Sequence, residues 1–193
     1  MTEPHASEDP LAAPEPRSPP AAAEKQRLAM ALTAHFALVW RSLRRFGIPE
    51  ADVDDAAQHA FLTLSGRLSD VKPGSERAFL LGTCQGIAAN HRKKMRRRPE
   101  VTDEEPDQRP GPAPNPEEAM VEKQRRAKLD EALAELPLDQ RTVFVLYELE
   151  GFSVREIAES LAIPAGTAAS RLRRARERFE AFATALGPTG DAP

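Results

Sequence analysis

"SVREIAESLAIPAGTAASRLRRARERF", residues 153–179, is the stretch whose reading decides the fold. Val154, Ile157, Ala158 and Leu161 fall at i, i+3, i+4 and i+7, the narrow apolar stripe of a short packed helix. Pro164 then suits the first position of a new helix, where its missing N–H has no helical partner to lose, so a second helix is predicted from about Pro164 to Phe182. Its inward face is Ala168, Leu172, Ala175 and Phe179, while Ser170, Arg171, Arg173, Arg174, Arg176 and Arg178 point elsewhere. A short helix, a tight turn and a cationic second helix make a helix-turn-helix, whose second helix fits the DNA major groove. The plainer reading of any basic helix is a solvated surface, with Glu177 and Glu180 pairing some arginines. The tandem arrangement and the +4 charge excess across 167–178 favour DNA instead.

Moving outward, "AKLDEALAELP" and "DQRTVFVLYELEGF" each read as a helix, punctuated by Pro137 and Gly151, which gives four helices in this part. Upstream, residues 99–118 hold six prolines and an acidic excess against one arginine, the composition of a flexible linker. Before it, Leu28, Leu32, Phe36, Val39 and Leu43 recur at helical spacing until Gly47 and Pro49 break the run. A second helix carries Val53, Ala56, Ala57, Ala60, Phe61 and Leu64. A third carries Phe79, Leu80, Ile87 and Ala88 and ends in "HRKKMRRR", where six of eight residues are cationic. The first 20 residues contain six prolines and few large apolar residues, too few to offset the entropy of ordering.

The expected architecture is therefore all-α: two small helical domains joined by a disordered Pro-rich acidic linker. The expected bounds are a disordered tail at 1–23, a first domain at 24–98, the linker at 99–118, a helix-turn-helix domain at 119–186 and a tail at 187–193. Aromatic residues at 5% and the scarcity of β-branched runs argue against a sheet. The single cysteine, Cys84, excludes an internal disulfide and reads as a small buried hydrophobe rather than a redox sensor. The four histidines lie far apart without ligand-like spacing, and His59 and His91 have no companions for catalysis. No metal, cofactor or catalytic residue is expected, and the chain is not read as an enzyme. No run of apolar residues is long enough for a membrane span and no basic-then-apolar start is present, so a cytoplasmic location without membrane insertion is expected. The net charge of −3 is unevenly spread, and that distribution sets the local field.

Over residues 136–179 the chain resembles region 4 of bacterial RNA polymerase sigma factors of the sigma-70 family, in the extracytoplasmic-function (ECF) group. The family pattern is carried here by Leu136, Pro137, Arg141, Glu150, Gly151, Ser153, Glu156, Ile157, Ala158, Gly166, Thr167, Ser170, Arg171, Arg174, Ala175 and Arg176. "DVDDAAQHAFLTL" is similar to region 2, with Asp52, Asp55, Gln58 and Phe61 matching the helix that docks on the polymerase clamp. The resemblance implies core RNA polymerase and promoter DNA as partners, and an anti-sigma factor as a further one. It implies that Thr167, Ser170, Arg171, Arg173, Arg174 and Arg176 meet the −35 element. It implies likewise that Phe79, Asn90, Arg92, Lys93, Lys94, Arg96 and Arg97 serve capture and melting of the −10 element, a task that needs positive charge and stacking platforms.

Two stretches depart from the family pattern. "FLLGTCQG" puts Phe79 where the family has tryptophan, Thr83 and Cys84 in place of Ile-Ala, and Gly86 where it has an asparagine near the −10 strand. Ala168 and Ala169 replace Val and Lys/Arg at the start of the recognition helix, removing one cation. These changes keep two other functions in view: a sigma-like decoy that titrates an anti-sigma factor, and a stand-alone helix-turn-helix regulator that needs neither Asp55 nor Gln58.

Overall fold

The computed structural model describes residues 22–97 and 116–185. They form α1 (Ala22–Phe46), α2 (Glu50–Arg67), α3 (Glu76–Arg97), α4 (Pro116–Ala134), α5 (Leu138–Phe144) continued by a π turn at Val145–Leu149, α6 (Val154–Ser160) and α7 (Ala165–Ala185). No strand occurs among the described residues. The all-α expectation holds. The expected tails and most of the expected linker lie outside the described residues. Residues 22, 23 and 116–118, placed at the inner edges of those segments, are helical.

Helices α1–α3 pack through stripes at helical spacing. Val39, Leu43 and Phe46 of α1 meet Val53, Ala57, Ala60 and Leu64 of α2 and Leu80, Leu81, Cys84 and Ala88 of α3, all essentially without solvent contact. The α1–α2 turn is set by Gly47, whose φ of 98° is open to glycine at little steric cost. Its N–H bonds to the Arg44 carbonyl at 3.0 Å and that of Ile48 to the Leu43 carbonyl at 3.1 Å, so the last carbonyls of α1 are satisfied and Ile48 is driven inward. Arg27 of α1 reaches across to the Leu68 carbonyl at 2.9 Å, the Val71 carbonyl at 2.6 Å and the Glu76 carboxylate, and thereby fixes the α2–α3 loop. Burial opposes ionisation of Glu76, but its backbone hydrogen bonds and Arg27 outweigh that and lower its pKa.

The second set, α4–α7, closes around Leu133, Leu136, Val143, Leu146, Ile157 and Leu172, with Phe144 stacked on Phe179 at 4.7 Å between ring centroids. Helix α6 has only two turns and depends on its start. Ser153 accepts a hydrogen bond from the Glu156 N–H, and the Ser153 N–H returns one to the Glu156 carboxylate at 2.8 Å, a reciprocal cap that satisfies two orphan donors. Those bonds to Ser153 lower the Glu156 pKa.

Two local features differ from the sequence reading. Pro164 precedes α7 rather than opening it, its carbonyl accepting from the N–H groups of Thr167 and Ala168 at 2.9 and 3.1 Å, and the helix runs on to Ala185 instead of ending near Phe182. The "VFVLYELEG" run ends in a π turn, with the Glu150 N–H bonded to the Val145 carbonyl at 3.1 Å. Apolar periodicity cannot reveal that turn, because one extra residue in a helix leaves the composition unchanged. The two sets share one continuous buried cluster.

Candidate nucleic-acid interface

Helix α7 is held by its inner face. Ala168, Leu172 and Ala175 are buried and Phe179 is partly so, as the four-three-four spacing predicts. Anchored this way, the outer face turns to solvent with Ala165, Ala169, Arg173, Arg174, Glu177 and Arg178 exposed.

The candidate arginines divide by partner. Arg171 is tied to Asp139 of α5 at 3.2 Å and Arg173 to Glu177 at 2.5 Å on its own helix. Arg176 binds Glu148 at 2.6 Å and lies 5.0 Å from the Tyr147 ring centroid; the hydrogen bond to Glu148 raises its pKa. Arg174 and Arg178 make no ion pair among the described residues. Thr167 and Ser170 are half-buried near the start of the helix, where the Ser170 hydroxyl donates to the Thr167 carbonyl at 3.0 Å. The one fully uncommitted cation among the six candidates is thus Arg174, in the middle of the exposed face.

On α3 the candidates split into two groups. Asn90, Lys93, Lys94 and Arg97 line one open groove near the C-terminal end, with Arg96 exposed beside them and Arg92 half-buried. Phe79 lies near the other end, eleven residues and about 16 Å along the axis away. It lines a different groove, with Arg67, Lys72 and Ser75 from the first set and Glu159 and Ser160 from α6. The structure therefore does not bring the aromatic platform and the basic cluster together. Gly86, midway, has nothing within 4 Å of where a Cβ would stand.

On α2, Asp52, Asp55 and Gln58 are exposed, and Asp52 meets His91 of α3 at 3.3 Å. Phe61 is 6% exposed and stacks on Phe36 at 6.3 Å, so it supports the helix instead of presenting a contact surface. The exposed apolar residue of this face is Leu62, 62% exposed and seven residues after Asp55, hence two helical turns along the same stripe. Sequence reasoning missed it because Phe61 and Leu62 are adjacent apolar residues and the family pattern points to the first. Among the described residues no three His, Cys, Asp or Glu side chains converge as a metal site would require, and no helix is long and apolar enough to cross a membrane.

A short helix, a turn and a second helix with a basic outer face have the geometry of a helix-turn-helix DNA-binding unit, and residues 126–179 match the family described as Sigma-70, region 4. The chain is 32% identical over 145 residues to the RNA polymerase sigma-H factor of Pseudomonas aeruginosa, covering 70% of this chain and 75% of that one. It is 32% identical over 142 residues to the ECF RNA polymerase sigma-E factor of Escherichia coli, covering 69% and 74%. Against the ECF RNA polymerase sigma factor SigE of Mycolicibacterium smegmatis the identity is 29% over 149 residues, and the chain spans 58% of that relative's length. In fold it is similar to CnrH, solved in complex with the cytosolic domain of CnrY, with a TM-score of 0.62 at 24% identity over 83% of this chain and 90% of that one. It is similar in the same degree, with a TM-score of 0.62 at 21% identity over 85% and 98%, to RpoE of Bartonella quintana, solved in complex with the anti-sigma factor NepR. The chain belongs to the ECF family of RNA polymerase sigma factors.

Proposed function

We propose that the chain works as a sigma subunit that binds core RNA polymerase and directs it to promoters, without chemistry of its own. The observation that carries this reading is α7: a helix matched to sigma region 4, locked by a buried Ala168–Leu172–Ala175 face, with its opposite face free and Arg174 uncommitted. Arg174 reads the −35 duplex, since a guanidinium with no internal partner can form a bidentate contact to guanine without first breaking an ion pair. Arg171, Arg173 and Arg176 contribute to phosphate attraction, each at the cost of loosening a carboxylate. The α3 cluster of Asn90, Lys93, Lys94, Arg96 and Arg97 tracks the −10 strand, and Phe79 offers it a stacking surface. Asp55, Gln58 and Leu62 form the polymerase-facing stripe of α2. An anti-sigma factor is the expected antagonist, in keeping with the solved complex of RpoE with the anti-sigma factor NepR.

The test is run-off transcription with purified core polymerase and genomic fragments, with and without the chain. New discrete starts preceded by a shared pair of motifs are expected, and Asp55→Ala with Gln58→Ala should abolish them. Promoter binding that survives that double change in the absence of polymerase, together with loss of transcript from the same promoter when polymerase is added, would identify a stand-alone regulator. A second reading, the decoy, is favoured by one observation: Gly86 leaves empty the place where the family carries a base-facing side chain. A decoy binds an anti-sigma factor and core polymerase yet yields no transcript. On the sigma reading, Arg174→Ala lowers affinity for the cognate −35 duplex by about 1–3 kcal/mol in titrations at fixed salt, and equal binding of variant and parent overturns its assignment.

A further inference from the structure

Helix α5 is enclosed over most of its length. Gln140, Arg141, Thr142, Val143 and Phe144 are consecutive and all buried, so the Arg141 side chain finds no outer face on which to reach water. The residue is 6% exposed, and its Nε lies out of solvent contact with no hydrogen-bond partner. The rest of its guanidinium forms no hydrogen bond or ion pair among the described residues. Room for it is left at the α1–α2 turn. A Cβ on Gly47 would stand 2.7 Å from the Arg141 Nη1, so glycine serves there twice, once for its φ of 98° and once for the space. A buried fork of donors without acceptors costs the desolvation of each group, and native interiors hold such groups rarely.

The surroundings of Arg141 deepen this imbalance. Leu81, Cys84 and Ala88 form the inward stripe of α3, and Arg92, one turn past Ala88, continues that stripe and is half-buried. Burial first and the Arg92 charge second push the Arg141 pKa down to about 10, with Asp130 opposing them. Arg141 is still cationic at neutral pH. Asp130 does not balance the two cations, because its carboxylate is 55% exposed and engaged with Arg44 at 3.8 Å. Arg92 itself forms no ion pair among the described residues. Two guanidiniums therefore converge from α3 and α5, and no carboxylate among the described residues bridges them.

We infer that Arg92 and Arg141 form a binding site for a small oxyanion, inorganic phosphate or a phosphate monoester, which accepts from both guanidiniums and neutralises the charge enclosed beside Gly47. Guanidinium forks suit such a ligand, because each presents paired N–H donors at the spacing of two oxygens on one tetrahedral centre. The enclosure of Arg141 admits a small ion and shuts out the backbone of a nucleic-acid strand. The site is also distinct from both DNA-facing surfaces. Asn90, Lys93, Lys94 and Arg97 line a groove on the opposite side of α3 from Arg92, and Arg174 lies on the outer face of α7. Arg92 thus serves this inner site and not the strand-tracking cluster to which its place in "HRKKMRRR" would assign it.

The experiment titrates the full chain with sodium phosphate, against sodium chloride at matched ionic strength, reading Tm by thermal unfolding and affinity by isothermal titration calorimetry. Phosphate at about ten times its dissociation constant should raise Tm by roughly 3–6 °C over chloride. Arg92→Gln removes one fork and also the like charge facing Arg141, at a half-buried position that the fold does not depend on. It should melt no lower than the parent in chloride, yet bind phosphate at least about tenfold more weakly. Lys93→Gln and Arg174→Gln, which take cations from the DNA-facing surfaces, should keep the phosphate response. Adenosine 5′-monophosphate separates the two sources. Binding of phosphate alone assigns the free ion, and binding of the nucleotide at least as tightly, with the same loss in Arg92→Gln, assigns an ester; either supports the site. A phosphate effect no larger than that of chloride, or one equal in Arg92→Gln and the parent, overturns it. A response lost in Lys93→Gln or Arg174→Gln and kept in Arg92→Gln overturns it too, since the ion then sits on a DNA-facing surface.

Discussion

Replacing Gly86 by alanine should make the protein more stable, and the size of the gain reports how the two helical sets unfold. Gly86 lies in the interior of α3, where glycine costs about 1 kcal/mol relative to alanine because the unfolded chain is freer and the helix gains no side-chain contact. That advantage is realised only if the new methyl group meets no obstacle, and nothing stands within 4 Å of its position. The full gain of roughly 0.5–1 kcal/mol is therefore expected. In thermal unfolding followed by far-ultraviolet circular dichroism, about 1 kcal/mol raises Tm by some 2–4 °C when a unit of 150–250 residues melts together, and by 4–8 °C when a domain of 60–100 residues melts alone. The shared buried cluster predicts the smaller shift with one transition. A fall in Tm would refute the account of Gly86 as an unobstructed helical position. Gly86→Asn should gain only about 0.3 kcal/mol, and any larger rise in open-complex formation with it marks recovery of a base-facing group.

Four further outcomes are expected. Ala162, the one non-glycine residue with positive φ among those described, holds 51° at the turn between α6 and α7, so Ala162→Gly should relieve about 1 kcal/mol of backbone strain, measurable by urea denaturation. Ser153→Ala removes the α6 cap and should cost about 1 kcal/mol by the same assay. The Ser153 hydroxyl also donates to the Glu156 carboxylate at 2.7 Å, and this bond, which Ser153→Ala removes while the backbone bond survives, favours the ionised carboxylate; its contribution is complete above the unfolded carboxylate range and fades as pH falls through the folded value, so the Ser153→Ala deficit should shrink in acid, and a pH-independent deficit contradicts the hydroxyl–carboxylate bond. Native Cys84 should resist thiol reagents at neutral pH and react at full rate only in denaturant, since burial raises its pKa to about 12.

Much of this was legible in the residues. The α7 stripe marks an inward face because its spacing matches the helical period, and the structure buries 168, 172 and 175 and partly covers 179; of the α1 stripe it buries Val39 and Leu43 and partly covers Leu28, but leaves Leu32 and Phe36 each 45% exposed. The partners of the arginines were not legible. Glu148 and Asp139 are 28 and 32 positions from the residues they bind, and only the packing of α5 on α7 brings them near. Phe61 was readable in two ways, as part of the apolar stripe of the second helix and as part of the family's contact pattern; the structure buries it with the stripe and leaves Leu62 outside. Arg141 is the extreme case. A cation in a family signature reads as a surface group, and nothing in the sequence marks it as enclosed.

The π turn at Val145–Leu149 sets the phase of everything that follows it, because it fits one more residue into its turn than ordinary α winding does. Deleting a residue there would return the segment to ordinary winding and rotate everything beyond it by about 100° per residue. Glu148 would swing off Arg176 and Glu150 off Arg41 and Arg45 in one stroke. A single codon thus governs both the poise of the recognition helix and the grip between the two halves, which makes this turn the place where natural variation could retune both at once.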